Sequence, residues 1–162
     1  MTEWRSMTAD DLPAVKAISD QVHGAYTEGR DIYAERRRIY PSGCFVLEGR
    51  GAMLGYMISH PWQGDDPPAL DELIDAVPEG ADRFYLHDLA LLPAARGTGA
   101  ASAAIDIAMR RARAEGFDRL TLTAVNGAEG FWLKRGFRPC SPHGSAYGDG
   151  TLSMECLIWD AP

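Results

Sequence analysis

The chain has 162 residues, 46% of them apolar and 24% charged, proportions that exclude a disordered, collagen-like or fibrous protein and predict one folded domain over residues 1–162. A net charge of -7 repels nucleic acid and anionic membranes over most of the surface and favours cationic substrates. Cys44, Cys140 and Cys156 are odd in number and lack C-x-x-C spacing, so neither a disulfide framework nor a zinc site is signalled, and no metal is expected. The longest apolar run, Leu89 to Ala95, falls far short of the ~20 residues that cross a bilayer. With no leader pattern at Met1, the expected location is cytoplasmic.

From the N-terminus, Thr8 and Asp10 or Asp11 are N-cap candidates, Pro13 suits a first turn, and Leu12, Val15, Ile18 and Val22 recur at helical spacing. They predict a helix over 11–24. Tyr26 to Tyr40 reads as a second, shorter helix stopped by Pro41-Ser42-Gly43. Cys44 to Leu47, the turn Gly49-Arg50-Gly51 and Ala52 to Ser59 read as a hairpin. Residues 61–82 hold four prolines and predict a loop with at most a short helix near Leu70 to Ala76.

Phe84 to Leu92 predicts a strand, followed by a glycine turn at 97–99 and a helix with Ala101, Ile105, Ala108 and Ala112 on one face. Gly116-Phe117 closes that helix. Leu120 to Val125 predicts the next strand, and 127–135 a short helix closed by a second Gly-Phe pair, Gly136-Phe137. Strand, helix, strand, helix implies a βαβ unit with a parallel pair. Thr151 to Trp159 is the expected final strand.

The most specific feature is Arg96-Gly97-Thr98-Gly99-Ala100-Ala101, between a strand and an amphipathic helix. Glycines let backbone approach a ligand, and a helix start offers unpaired N–H groups and partial positive charge to an anion. The kinase-type phosphate loop requires a Lys that is missing here. A dinucleotide fingerprint requires a third glycine where Ser102 stands, and an acidic residue where Val125-Asn126 end the next strand. A purely structural glycine turn leaves Arg96 without a purpose.

Arg96-x-x-Gly99-x-Ala101 resembles the [QR]-x-x-G-x-[GA] coenzyme A loop of the GNAT superfamily of N-acetyltransferases. His87 to Pro93, Asn126 and Phe131 to Phe137 resemble the neighbouring family segments in the same order. The resemblance implies an α/β (α+β) fold: a mixed, mostly antiparallel sheet with helices on both faces and a V-shaped split between two parallel strands. It implies acetyl-CoA as co-substrate and transfer of its acetyl group to a primary amine of a small molecule or peptide. The backbone of Leu89, Ala90 and Leu91 would pair with the pantetheine arm and the acetyl carbonyl. The amides of Gly97, Thr98, Gly99, Ala100, Ala101 and Ser102, beside Arg96, would hold the pyrophosphate, and Asn126 would bond the cofactor. A chain of this kind acts as a monomer or homodimer; the alternative is a non-catalytic acyl-CoA-binding or regulatory module.

An alkylamine is protonated at neutral pH, so transfer calls for a base, for N–H donors to the oxyanion and for an acid at the thiolate. His87 stands where relatives place a basic His or Glu, while strand alternation turns Asp88 to the opposite face unless a bulge intervenes. The family's usual acidic Tyr is replaced by Trp132. Tyr147 is the substitute, or no acid is used. His23 and His143 read as surface or helix residues. Tyr26, Tyr33, Tyr40, His60 and Trp62 are candidate aromatic walls for a cationic acceptor, with Asp65, Asp66, Asp71 or Glu72 to steer it. The alternative for these aromatics is the core. The triads Arg36-Arg37-Arg38 and Arg110-Arg111-Arg113 read as solvated helix faces.

Overall fold

The computed structural model describes residues 1–140 and 151–158. Its elements in chain order are β1 (Thr2–Ser6), α1 (Leu12–His23), α2 (Arg30–Ile39), β2 (Cys44–Gly49), β3 (Ala52–Trp62), β4 (Arg83–Leu91), α3 (Ala100–Ala114), β5 (Arg119–Ala124), α4 (Glu129–Leu133), β6 (Arg138–Pro139) and β7 (Leu152–Leu157). The strands form one sheet in the order β1-β2-β3-β4-β5-β7-β6. Every neighbouring pair is antiparallel except β4 and β5. Among the described residues no helix is long and apolar enough to cross a membrane.

Alternation along the strands feeds two cores, one on each face of the sheet. Met57, Phe84 and Leu86 pack with Ala104, Ile105, Ala108 and Ala112 of α3 and with Trp132 and Phe137. Tyr56, Ile58 and Ala90 pack on the other face with Val15 and Ile18 of α1 and Tyr33 of α2. Both Gly-Phe stops are Schellman caps. Gly116 (φ 86) and Gly136 (φ 93) are left-handed, and Phe117 N–H reaches Ala112 C=O at 2.9 Å as Phe137 N–H reaches Trp132 C=O at 3.2 Å. The second helix is shorter than its sequence pattern, and β1 was not foreseen. With three half-buried and two exposed residues and none buried, β1 carries little apolar alternation. It is anchored by Trp4, whose indole donates to Ala100 C=O at 3.0 Å.

Before α1, the Thr8 amide donates to the Asp11 carboxylate at 2.7 Å, and Arg5 grips both Asp11 oxygens. The Arg5 hydrogen bond, more than any other contact, pulls the Asp11 carboxyl down to about 2. The reading of Arg36-Arg37-Arg38 as a solvated face is corrected at its first member. Arg36 is fully buried, 2.7 Å from the buried Glu35. Glu35 also accepts the amides of Ile74 and Asp75 at 2.8 and 2.9 Å. Those bonds hold the 63–82 segment against α2 as turns, with no helix at 70–76.

Candidate active site

Strands β4 and β5 pair only at Phe84 with Leu120 and Tyr85 with Thr121, and beyond that point they diverge. A cavity of about 340 Å³ opens between them, walled by Leu89 and Leu91 from β4, by Leu122, Thr123 and Asn126 from and just beyond β5, and by Phe131 and Trp132 of α4. Arg96 stands on its wall. The diverging edge of β4 lacks the strand partner that β5 supplies lower down, so an extended ligand can add to it as a strand would.

Gly97 (φ 76) and Gly99 (φ 86) are both left-handed, and a Cβ built on either meets no atom within 4 Å. These glycines therefore serve backbone shape and leave the ligand side open. The Thr98 hydroxyl donates to Ala95 C=O at 2.5 Å and tightens the turn. Gly99 is the N-cap of the 15-residue α3, so the amides of Ala100, Ala101 and Ser102 have no intrahelical acceptor; that of Ala100 makes a long 3.4 Å bond to the Thr98 hydroxyl, and such a helix start suits an anion. Ala100 and Ala101 turn their methyl groups to the core, whereas Ser102 is exposed. Ala90 likewise buries its side chain in the core and is not among the residues that wall the cavity. Asn126 adopts φ 55 just after β5.

The face that carries His87 depends on an irregularity in β4. Ile58 pairs with Asp88 but Ser59 pairs with Leu86, so His87 is the extra residue of a β-bulge. Phe84 and Leu86 belong to the α3 core, yet Ala90 belongs to the α1 and α2 core. The bulge reverses the alternation and brings His87 and Asp88 to the same face. This decides the side-chain direction of Asp88 that regular strand alternation would have reversed.

His87 Nε2 lies 2.6 Å from Glu28 Oε1, and the two side chains are 2% and 3% exposed. The carboxylate accepts only, so Nε2 carries the hydrogen, leaving Nδ1 as the free nitrogen of the neutral ring; that atom is buried without a protein partner. Glu28 Oε2 accepts the Asp71 amide at 2.8 Å. Burial works against the Glu28 anion, but the charge that a protonated His87 ring carries, the His87 hydrogen bond, the Asp71 amide and the Arg36 charge together hold its carboxyl below the usual range.

Next to it, His23 Nε2 lies 2.5 Å from Asp88 Oδ1, with side chains 16% and 7% exposed, and the Tyr56 hydroxyl donates to Asp88 Oδ2 at 2.6 Å. His23 is a helix residue, the last of α1, as one of the two expected readings had it, and the surface reading is corrected: its side chain is mostly covered. Both histidines wall the 340 Å³ cavity and a smaller one of about 40 Å³ that Tyr26, Glu28 and Leu70 complete. Neither Glu28 nor the His23–Asp88 pairing carries a motif. They meet across 59 and 65 positions of sequence, and only the bulge and the end of α1 bring them together.

Of the expected aromatic walls, only Tyr26 lines a cavity with His87. Tyr33 is corrected to the core: it is fully buried, its hydroxyl 2.5 Å from the Ser19 hydroxyl. His60 is corrected likewise. It has no exposed surface, donates from Nδ1 to Pro61 C=O at 2.8 Å, and packs its ring 6.0 Å from that of His87. Burial above all pushes it down to about 3. Trp62 is half-buried, tied by its indole to Asp66 C=O at 2.8 Å, and lines neither cavity beside His87. Tyr40 packs on Phe84 and donates to Glu115. Trp132 is buried against Phe137 and walls the cleft. Tyr147 and His143 lie outside the described residues. Among the described residues no cluster of side chains suits a metal ion.

A parallel strand pair splayed beside a helix start, with a histidine on the central strand, is the architecture of an acyl-transfer domain. The family model described as the acetyltransferase (GNAT) family matches residues 4–137, and the chain belongs to that family. Comparison with curated proteins gives no match. Among solved structures, the GphF GNAT-like decarboxylase in complex with isobutyryl-CoA is 19% identical with TM-score 0.81, over 96% of this chain and 99% of that one. The ribosomal-protein-S18-alanine N-acetyltransferase from Escherichia coli is 18% identical with TM-score 0.70, over 98% and 94%. Arabidopsis thaliana Naa50 in complex with the bisubstrate analogue CoA-Ac-MVNAL is 14% identical with TM-score 0.70, over 95% and 97%. At these identities the likeness is one of fold.

Proposed function

We propose that the chain moves an acetyl group from acetyl-CoA to a primary amine carried by a small molecule or a peptide. The observation that carries this reading is the β4–β5 split with Arg96 on its wall, followed directly in the chain by the left-handed glycines and first-turn amides of α3. That arrangement suits an extended thioester arm joined to a pyrophosphate. Support for such a ligand comes from relatives of the same fold that hold isobutyryl-CoA or a CoA-peptide conjugate. The co-substrate supplies an activated acyl thioester.

The chain's own groups then have separable tasks. Arg96 and the amides of Gly97 to Ser102 bind the phosphates, Leu89 to Leu91 align the arm by backbone, and Asn126 closes the mouth of the split. Glu28 holds the His87 ring with Nδ1 free to take the proton of the attacking amine. The carboxylates of Glu28 and Asp88 beside the smaller cavity favour a cation there, and Tyr26 offers a ring face. Cys44 and Cys156 are buried thiols, which suit a reducing cytoplasm.

The test measures thiol release from acetyl-CoA with aromatic amines, polyamines, amino acids, short peptides and aminoacyl-tRNA at two salt concentrations. Acetylated small-molecule or peptide product is the expected result. Modification of tRNA that falls steeply with salt overturns the acceptor class. Tight binding of acetyl-CoA without turnover, or acyl-CoA decarboxylation without amide formation, overturns the transferase reading.

A further inference from the structure

Trp132 stands where a phenol is expected to protonate the departing sulfur, and an indole N–H is not a useful acid. Among the described residues another group in the same cleft has the geometry for that task. His23 closes α1 and reaches over β4, where the Asp88 carboxylate fixes its Nε2 and Tyr56 fixes the second Asp88 oxygen. This is an imidazole oriented by a carboxylate that is itself oriented by a third group, the usual build of a proton-handling side chain. Its other nitrogen has no protein partner among the described residues and is not sealed from the cavity. The contrast with the neighbouring dyad is sharp: the His87 and Glu28 side chains are almost wholly covered, whereas His23 keeps an open flank.

Resting on the transferase reading above, we infer that His23 is the general acid of this cleft, delivering a proton from Nδ1 to the leaving sulfur while His87 receives the proton of the amine. The balance is complete. The amine nitrogen forms the new N–C bond and gives its surplus proton to His87 Nδ1. The C–S bond breaks with its electron pair on sulfur, which takes the His23 proton. The exposed flank of His23 then regains a proton from water, and His87 returns its own.

Two histidines with different surroundings make this division physical. His23 faces Asp88 and His87 from β4, Glu28 and Tyr26 from the segment between α1 and α2, and Tyr56 from β3 behind Asp88; Arg96 stands farther along the same cavity. Burial opposes its charge, but the Asp88 charge and hydrogen bond, with the Glu28 charge, outweigh burial and raise its pKa above the ordinary value. A thiol leaving group of pKa near ~8.5 is a stronger base than imidazole, so the transfer runs downhill.

The test uses the full chain and His23→Gln, which retains an N–H donor for Asp88 but cannot titrate. With acetyl-CoA, kcat falls by about 10² with the KM for acetyl-CoA little changed. The alkaline limb of the kcat profile, where His23 loses its proton, disappears. With the acetyl selenoester of seleno-coenzyme A, whose selenol leaves readily without protonation, the loss shrinks toward unity. A base or a purely structural residue gives no such rescue. Independently of any acceptor, the imidazole resonance absent from His23→Gln titrates above ~6.5 in the wild-type protein and moves when coenzyme A is added. An unchanged kcat in the variant, a loss that the selenoester leaves intact, or a His23 resonance titrating at or below the ordinary value overturns the inference. Wild-type turnover with an unaffected variant separates its failure from that of the transferase reading.

Discussion

Glu28 holds His87 with one carboxylate oxygen at 2.6 Å and the amide of Asp71 with the other at 2.8 Å. The ring and the loop over the site are thus fastened to one buried anion. Replacing His87 by Ala is expected to slow acetyl transfer by about 10² or more while calorimetric affinity for coenzyme A stays nearly constant. Glu28→Gln keeps one carbonyl oxygen for two N–H donors, so it satisfies either the His87 ring or the Asp71 amide but not both, and is expected to lose rate, though less than His87→Ala. Steady-state kinetics across pH checks both outcomes.

Gly99 caps α3 at φ 86 with open space where a side chain would start. Gly99→Glu adds a carboxylate against the expected phosphate position and strains the backbone by roughly 1–2 kcal/mol. Coenzyme A binding is expected to vanish, whereas Gly99→Ala, which shares the strain without the charge, retains measurable affinity. Calorimetry on folded protein distinguishes them, and equal affinities in the two variants refute the placement of the phosphates.

His60 is neutral in the fold, held down to about 3 by burial, while the unfolded chain protonates it near ~6.5. The unfolded state therefore binds the extra proton between these values, and stability is lost as pH falls from about 6.5 toward 3, at up to about 1.4 kcal/mol per pH unit. His23, with its raised pKa, contributes the opposite sign, but that contribution is fully present below ~6.5 and stays constant through this window. Urea titrations of the wild type between pH 6.5 and 4.5 should show the decline. His60→Asn keeps a donor for Pro61 C=O and should flatten it.

Arg36 and Glu35 form a buried pair whose carboxylate also holds the amides of Ile74 and Asp75. Arg36→Met removes the cation and strands the charge, a change that costs roughly 3–5 kcal/mol in comparable buried pairs. The denaturation midpoint should drop accordingly, with the 63–82 segment becoming the first site of proteolysis.

The sequence alone determined the features that local chemistry dictates. Helical spacing from Leu12 to Val22 and the two Gly-Phe stops have physical causes within a few residues, and α1 and both caps form where those causes lie. The glycine loop was legible for the same reason: left-handed backbone at Gly97 and Gly99 followed by a helix start is a local arrangement. Only the tertiary structure decided which side chains meet. The bulge at His87 is a mismatch between two strands and leaves no trace in either. Through it Asp88 turns to His23 and His87 to Glu28, partners that no periodicity links. Tyr33 and His60 show the converse: an aromatic suited to a pocket wall is equally suited to a core, and the packing of α2 and β3 placed both inside. Arg36 became a core residue because Glu35 and the 72–75 backbone enclose it, a long-range circumstance that a run of three arginines does not reveal.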